Sequence, residues 1–376
     1  MKIGIDTFGC NTRVSGVGVY LTQVLKRIPP SGALFELFGW EYDRYMFSER
    51  SGKKLDFVAC CRISGETANS LWHILRYPKF ARGRGFDICF FPAAHRRLPN
   101  KSPCLTIGTV HDMAAYWGTV RTREHLGAVL RVALPDSLRR LDRVIAVSSW
   151  VKQELIDVAR VKESRIDVVH NGVDHDVYYP RPQKNESLEP VRPFTFRHPY
   201  ILYAARLEHP IKNHTGLIRA FEIFKQRTKL PHRLVFAGGD NKGVKTIKDF
   251  ALASPQRSDI FFTGPFPSEN LPELVAGADM AVIPSFYEGF GQGAIEAMAS
   301  GVPVACARAA SLPETANHAA LYFDPYDSED MADRMVSLAT DEALYNRCRE
   351  AGLERAKDFS WDRCAGQTLR IVQESV

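Results

Sequence analysis

The stretch "SFYEGFGQGAIEAMASGVPV", Ser285 to Val304, decides how this chain is read. Glu288 and Glu296 stand with seven residues between them. Gly289, Gly291 and Gly293 crowd behind the first, an alanine-rich run of helical spacing follows, and the stretch ends in Gly-Val-Pro-Val. Directly ahead lies "MAVIPS", a short apolar run that reads as a buried strand. A strand feeding a glycine-rich turn that opens a helix sets free N–H groups and a partial positive charge at the strand's end, which suits phosphate. Glycine lets the backbone approach an anion closely. Eight positions of helix rise ~12 Å, more than the ~5–9.5 Å between the carboxylates of a glycosidase pair. The glutamates therefore read as hydrogen-bond acceptors for two ends of a ligand whose middle is a phosphate, as in a nucleotide diphosphate sugar. The plainer reading is a glycine turn with two surface glutamates.

Outward from this stretch, apolar strands alternate with amphipathic helices. Before it stand "MKIGID", "ALFELFGW", "FDICFFP" (Phe86–Pro92), "PCLTIGTVHD" (Pro103–Asp112), "DRVIAVSS" (Asp142–Ser149) and "IDVVHNGVD" (Ile166–Asp174). Residues 180–199 hold five prolines and read as a linker. The rhythm then restarts with "YILYAARL", "HRLVFAGG", "IFFTG", "MAVIPS" and "PVACA". Such alternation predicts parallel sheets covered on both faces, and 376 residues suit two domains. The expected fold is α/β: two Rossmann-like doubly wound domains, 1–190 and 191–358, facing across a cleft. Open sheets of this kind bind ligands at the carboxyl ends of their strands. The final segment, about 359–376, reads as one more amphipathic helix.

Hydrophobic content of 45% and charged content of 24% are those of a globular protein. No apolar run reaches the ~18–20 residues of a membrane span, and "MKIGIDTFG" turns polar too early for a signal peptide. The expected location is the cytoplasm. Eight cysteines include no CxxC pair and no zinc spacing, which fits idle thiols in a reducing compartment. Charge is uneven: residues 1–190 carry 28 Lys+Arg against 20 Asp+Glu, and residues 191–376 carry 21 against 23. From Arg76 to Lys101, seven basic residues face Asp87 alone, and a second run holds Arg121, Arg123, Arg131, Arg139, Arg140 and Arg143. A one-sided basic domain suits a membrane surface, a phosphorylated lipid or a nucleic acid, or is simply a solvated face.

"EGFGQGAIEAMASGVPV" resembles the motif of retaining glycosyltransferases of family 4. "SGVGVYLTQVL", "HDMAAYW", "AVSSWVKQEL", "HNGVDHDVYYP", "ARLEHPIKNHTGLIRAF", "FAGG", "FTGPFPSENLPELVAGADMAVIPS" and "SLPE" resemble its other segments, in the same order and over nearly the whole chain. The resemblance implies the GT-B architecture, with the donor on the C-terminal domain, the acceptor on the N-terminal one, and the terminal helix around Trp361 crossing back to the first domain. It implies that Glu288 accepts hydrogen bonds from donor-sugar hydroxyls, with the backbone of Gly289, Phe290 and Gly291 nearby. Glu296 would hold the ribose, and Arg206 and Lys212 would grip the pyrophosphate. Gly16 would let the first domain's loop approach the phosphates, and His111 would lie near the reacting sugar carbon. Outside the "HDM" context, a lone histidine is more often a core residue.

The chain departs from the family pattern at Ser15, at Val19, which takes the place of a phosphate-binding arginine, and at Gln292-Gly293, where many relatives are apolar. The resemblance further implies retention by same-face attack, no metal or other cofactor, and a nucleotide-sugar donor, with GDP-mannose expected and a UDP-sugar the alternative. The expected partners are a glycan or polyprenyl-diphosphate-linked acceptor of surface polysaccharide or lipopolysaccharide and an anionic inner-membrane surface, which would make the protein peripheral on its cytoplasmic face. No nucleic acid is expected, since no such motif accompanies the charge. "DHD" (Asp174–Asp176) imitates the metal-binding pair of another transferase architecture but stands inside a domain-end motif. Besides a non-catalytic nucleic-acid-binding protein, suggested by the basic first half alone, two other classes compete. A nicotinamide dehydrogenase is disfavoured because Leu21 replaces the third glycine of the fingerprint. A GT-B sugar-nucleotide epimerase shares architecture and ligand.

Overall fold

Parallel sheets buried on both faces need strands that are apolar at every position, and the strand Ile88–Phe91 is buried throughout. The computed structural model describes residues 1–10, 16–29, 32–49, 55–61, 66–114, 134–181, 194 and 198–375. It divides into two units, Met1–Gly172 with Ser360–Val376, and Val173–Phe359.

The first unit is built on seven strands: β1 (Lys2–Asp6), β2 (Leu34–Trp40), β3 (Asp56–Cys61), β4 (Ile88–Phe91), β5 (Leu105–Val110), β6 (Arg143–Ala146) and β7 (Ile166–Val168). All pair in parallel, in the order β3-β2-β1-β4-β5-β6-β7. The crossover helix Gly16–Lys26 buries Val17, Tyr20, Leu21, Val24 and Leu25, which recur at helical spacing. The helix Trp361–Gln373 completes this core by burying Trp361, Cys364, Ala365, Leu369 and Val372 beside Tyr20 and Leu21. Ser360 caps it, accepting from the backbone N–H of Asp362 at 3.1 Å. Tyr20 Oη lies 3.0 Å from Thr109 Oγ1 and 3.1 Å from Thr368 Oγ1, joining that helix to β5. Gly172 is required here, because a Cβ would stand 2.1 Å from the Trp361 nitrogen.

The second unit holds β8 (Tyr200–Ala204), β9 (Arg233–Ala237), β10 (Ile260–Phe262), β11 (Met280–Ile283), β12 (Val304–Ala307) and β13 (Ala320–Phe323), all parallel, in the order β10-β9-β8-β11-β12-β13. Strand order reverses between β8 and β11, the switch point where such sheets bind ligands. The chain enters this unit at Val173, ahead of the expected boundary at 190/191. The reason is local. His175 Nε2 donates to the Phe359 carbonyl at 3.1 Å, and Arg181 Nη1 donates to the Pro272 carbonyl at 2.9 Å. The rest of the linker, 182–193 and 195–197, lies outside the described residues, as do Ser15, Arg121, Arg123 and Arg131.

Candidate active site

The loops that follow β8 and β11 carry the predicted donor residues to adjacent strand ends. The Phe286 N–H donates to the Ile211 carbonyl at 3.0 Å and ties the two loops together. Lys212 Nζ then donates to Glu288 Oε1 at 2.7 Å, and Ser285 Oγ donates to the same oxygen at 2.7 Å. With its proton so used, Ser285 Oγ accepts from Tyr203 Oη at 2.7 Å. Tyr203 lies in β8 and is buried; burial first, then the Glu288 charge, pushes its hydroxyl pKa well up. The Glu288 carbonyl accepts from Ser311 Oγ at 2.8 Å.

One carboxylate oxygen of Glu288 is therefore saturated by protein. Oε2 has no hydrogen-bond partner among the described residues and is the open acceptor. Lys212 and Glu288 side chains are 17% and 18% exposed, so the pair screens each charge from the cost of desolvation. Arg206 is 47% exposed, with Glu208 Oε2 3.7 Å away, and is the looser cation of the two.

Gly291 takes φ +92°, and a Cβ there would meet Leu312 Cδ2 at 2.9 Å. This left-handed turn lets the chain swing from the Glu288 loop into the helix Gln292–Ala299. No acidic residue stands in the helix's first turn, so no side chain of its own offsets the positive end of its dipole. Phe290 is 5% exposed and packs edge-on against Phe359 at 5.6 Å. Its carbonyl accepts from Thr315 Oγ1, so the side chain is core and the carbonyl is engaged by protein.

Glu296 is half-buried and hydrogen bonded to Tyr178 and Gln292. Burial pushes its pKa up to about 7, against the pull of those two bonds. The Gln292 departure thus has a structural partner: it sits four residues before Glu296 on one helix face. Tyr178 was missed by sequence reasoning, because "DVYYP" carries no spacing that points to Glu296. In the "DHD" stretch, Asp174 Oδ1 accepts from the Asp176 N–H at 3.2 Å, and no metal-holding group of three side chains occurs among the described residues.

The first unit carries the other two predicted residues. Gly16 opens its helix, and a Cβ there would meet nothing within 4 Å, so packing does not demand glycine at this position. His111 follows β5 and is 9% exposed. Its Nε2 lies 3.0 Å from the Pro92 carbonyl, which can only accept, so Nε2 carries the proton and Nδ1 the lone pair. Tyr20 packs edge-on against its ring at 4.8 Å and His95 at 5.5 Å. Burial, then the neighbouring His95, holds its pKa down at about 3, so the ring is neutral.

Two family models match the chain: the group 1 glycosyl transferases over residues 188–355 and glycosyltransferase family 4 over residues 14–177. O-antigen chain mannosyltransferase B of Escherichia coli is 29% identical over 71% of this chain and 70% of its own length. The chain spans only 53% to 55% of several other curated relatives. Among solved structures, WaaG, a glycosyltransferase involved in lipopolysaccharide biosynthesis, superposes with a TM-score of 0.76 at 14% identity, covering 99% of each chain. Anabaena HepE, in complex with UDP and glucose, superposes with a TM-score of 0.74 at 18% identity over 100% of each chain. The motifs, the two parallel sheets and these matches agree, and the chain belongs to the glycosyltransferases of family 4, with the GT-B fold and with bacterial mannosyltransferases among its relatives.

Proposed function

We propose that this protein transfers mannose from GDP-mannose to a glycan or polyprenyl-diphosphate-linked acceptor in surface-polysaccharide synthesis, with retention of anomeric configuration and without a metal. The observation that carries the proposal is the Lys212–Glu288 pair beside a glycine-opened helix at the switch point of the second sheet. In this reading Arg206, Lys212 and the helix N-terminus take the negative charge that grows on the departing pyrophosphate. Gly289, Phe290 and Gly291 offer backbone, Glu288 Oε2 accepts from a sugar hydroxyl, and Glu296 holds the ribose. Gly16 admits the phosphates to the first unit's loop. The acceptor oxygen bonds to the anomeric carbon, the bond from that carbon to phosphate oxygen breaks, and the acceptor's proton goes to the departing phosphate. His111, neutral, keeps the part the family resemblance gives it beside the reacting carbon.

The mannosyl donor rests on the similarity to O-antigen chain mannosyltransferase B. A UDP-sugar donor is the second reading, favoured by the UDP and glucose held by the structurally similar HepE. A thermal-shift panel of GDP, UDP, ADP and their sugars separates them. Stabilisation by GDP and GDP-mannose alone is expected, and stabilisation by UDP alone replaces the donor. Transfer that persists in excess EDTA, with the product's anomeric configuration read by NMR, tests metal independence and retention.

The acceptor's membrane is also part of the proposal. In the first unit, Leu71, Ile74 and Leu75 are exposed at the end of the helix Glu66–Leu75. Arg76, Lys79 and Arg82, exposed and without an ion pair among the described residues, follow on the helix Tyr77–Arg84. Apolar residues rimmed by cations suit the headgroup boundary of an anionic bilayer. No helix among the described residues is long and apolar enough to cross one.

A further inference from the structure

We propose that Tyr326, stacked on Phe286 at the carboxyl edge of the second sheet, is the platform of a saccharide subsite that holds a neutral pyranose ring of the acceptor glycan, with Arg308 and Asp324 bonding its hydroxyls. The inference rests on the transfer reading above and adds the second unit to acceptor binding.

Tyr326 is 77% exposed, the largest fraction of any big apolar side chain among the described residues. Its ring is nonetheless fixed. It stacks on Phe286 with centroids 4.7 Å apart and planes 28° apart. The loop beneath is pinned: the Tyr326 N–H donates to Asp324 Oδ1 at 2.9 Å, the Asp327 N–H to the Asp324 carbonyl at 3.0 Å, and Asn213 Nδ2 to the Pro325 carbonyl at 2.8 Å. Phe286 is held by its bond to Ile211 and stands two residues before Glu288. A ring already held rigid loses little further freedom when a partner stacks on its open face.

Through Pro325, the residue before it, Tyr326 adjoins a pocket of about 430 Å³ lined by Arg308, Tyr322, Asp324, Pro325, Asp330 and Arg334, within the range of small-ligand sites. Asp330 is fully used: Oδ1 accepts from Arg334 Nη2 at 2.8 Å, and Oδ2 accepts from the Asp324 N–H at 2.8 Å. Three polar groups are not. Asp324 Oδ2 has no partner among the described residues. The Arg308 guanidinium lies 4.7 Å over the Tyr322 ring with no ion pair among them, and Arg334 Nε is buried without a partner among them. Donors and an acceptor beside an aromatic face match a pyranose, whose C–H face packs on a ring while its hydroxyls both give and take protons. The two arginines and two aspartates sum to zero charge, which favours a neutral sugar over a phosphate or carboxylate.

The test is saturation-transfer NMR on the full chain with oligosaccharides of mannose, glucose and galactose, alongside nucleotide thermal shifts. Wild type is expected to saturate the ring C–H protons of at least one sugar. Tyr326→Phe should keep the effect, and Tyr326→Ala should weaken binding about tenfold, with equal nucleotide shifts in all three proteins. No saturation of any sugar by wild type, or equal saturation in Tyr326→Ala, overturns the subsite. Loss of the nucleotide shift in Tyr326→Ala also overturns it, by placing the ring in the donor site. No nucleotide shift in wild type overturns the transfer reading itself.

Discussion

Lys212 and Glu288 share one hydrogen bond of 2.7 Å although 76 residues separate them in the chain. Each therefore holds the other in position. Lys212→Ala and Glu288→Gln are expected to lower kcat/KM for transfer at least about 100-fold, the scale of removing a preorganised transition-state contact. Far-UV circular dichroism should be unchanged. Full activity in either variant removes the pair from the site.

Nucleotide affinity should depend on pH through Glu296. Its folded pKa of about 7 lies above the ordinary value of about 4.3. The free protein thus holds a proton there at pH 6 that the unfolded chain has lost. This stabilisation is complete below about pH 4.3 and is gone above about pH 7. A ribose that needs an acceptor favours the ionised form. GDP is therefore expected to bind more tightly at pH 8 than at pH 6, with proton release seen as a buffer-dependent heat in calorimetry. Glu296→Gln should flatten the dependence. An unchanged slope in that variant assigns the titration elsewhere.

His111 contributes no titration between pH 5 and 9, because its ring is already neutral there. The pH–rate profile of transfer should show no limb that His111→Asn abolishes. A limb near 6.5 that disappears in that variant contradicts the buried, neutral ring.

His214 sits on the second unit's core with both ring nitrogens buried and without hydrogen-bond partners among the described residues. Its ring packs near Tyr203 at 4.9 Å and Phe236 at 5.2 Å. Burial first, then Lys212, holds its pKa at about 3. The unfolded chain takes up this proton below about pH 6.5 and the folded one does not, so stability falls as pH drops toward 3. His214→Phe is expected to gain about 1–2 kcal/mol by removing unsatisfied polar atoms and to move the acid unfolding midpoint lower. Denaturant titrations at pH 7 and pH 5 measure both; a loss at both pH values shows that the ring nitrogens are satisfied.

Flotation with vesicles containing phosphatidylglycerol should retain the protein at low salt and release it at high salt. Lys79→Glu with Arg82→Glu should abolish retention, and Leu75→Asp should weaken it. Retention that ignores both salt and these substitutions places the contact on another surface.

Most strands were legible because a parallel sheet buried on both faces writes itself as short unbroken apolar runs, as in "FDICFFP" and "MAVIPS". β3 and β13 were not identified in advance. β13 is four residues long and only its ends are buried, so its pattern is too weak to separate from a loop. The Glu288 loop was legible because glycine has few substitutes at a left-handed turn that opens a helix. The contacts that complete the site were not. Ser285 and Tyr203 meet because β8 and β11 are neighbours, and Tyr178 reaches Glu296 from a segment that the family resemblance reads as a domain end. Neither adjacency is encoded by local spacing.

The helix Trp361–Gln373 carries a consequence for synthesis. Its residues supply part of the first unit's core, and the stretch that forms the second unit, Val173–Phe359, is uninterrupted. On the ribosome, the half made first must wait for the half made last. The second unit can close as soon as it emerges, whereas the first holds an unfilled seam along Tyr20 and Leu21 until the final helix arrives. A stop codon just after Phe359 would therefore spare the second unit and expose the first to chaperones and proteases.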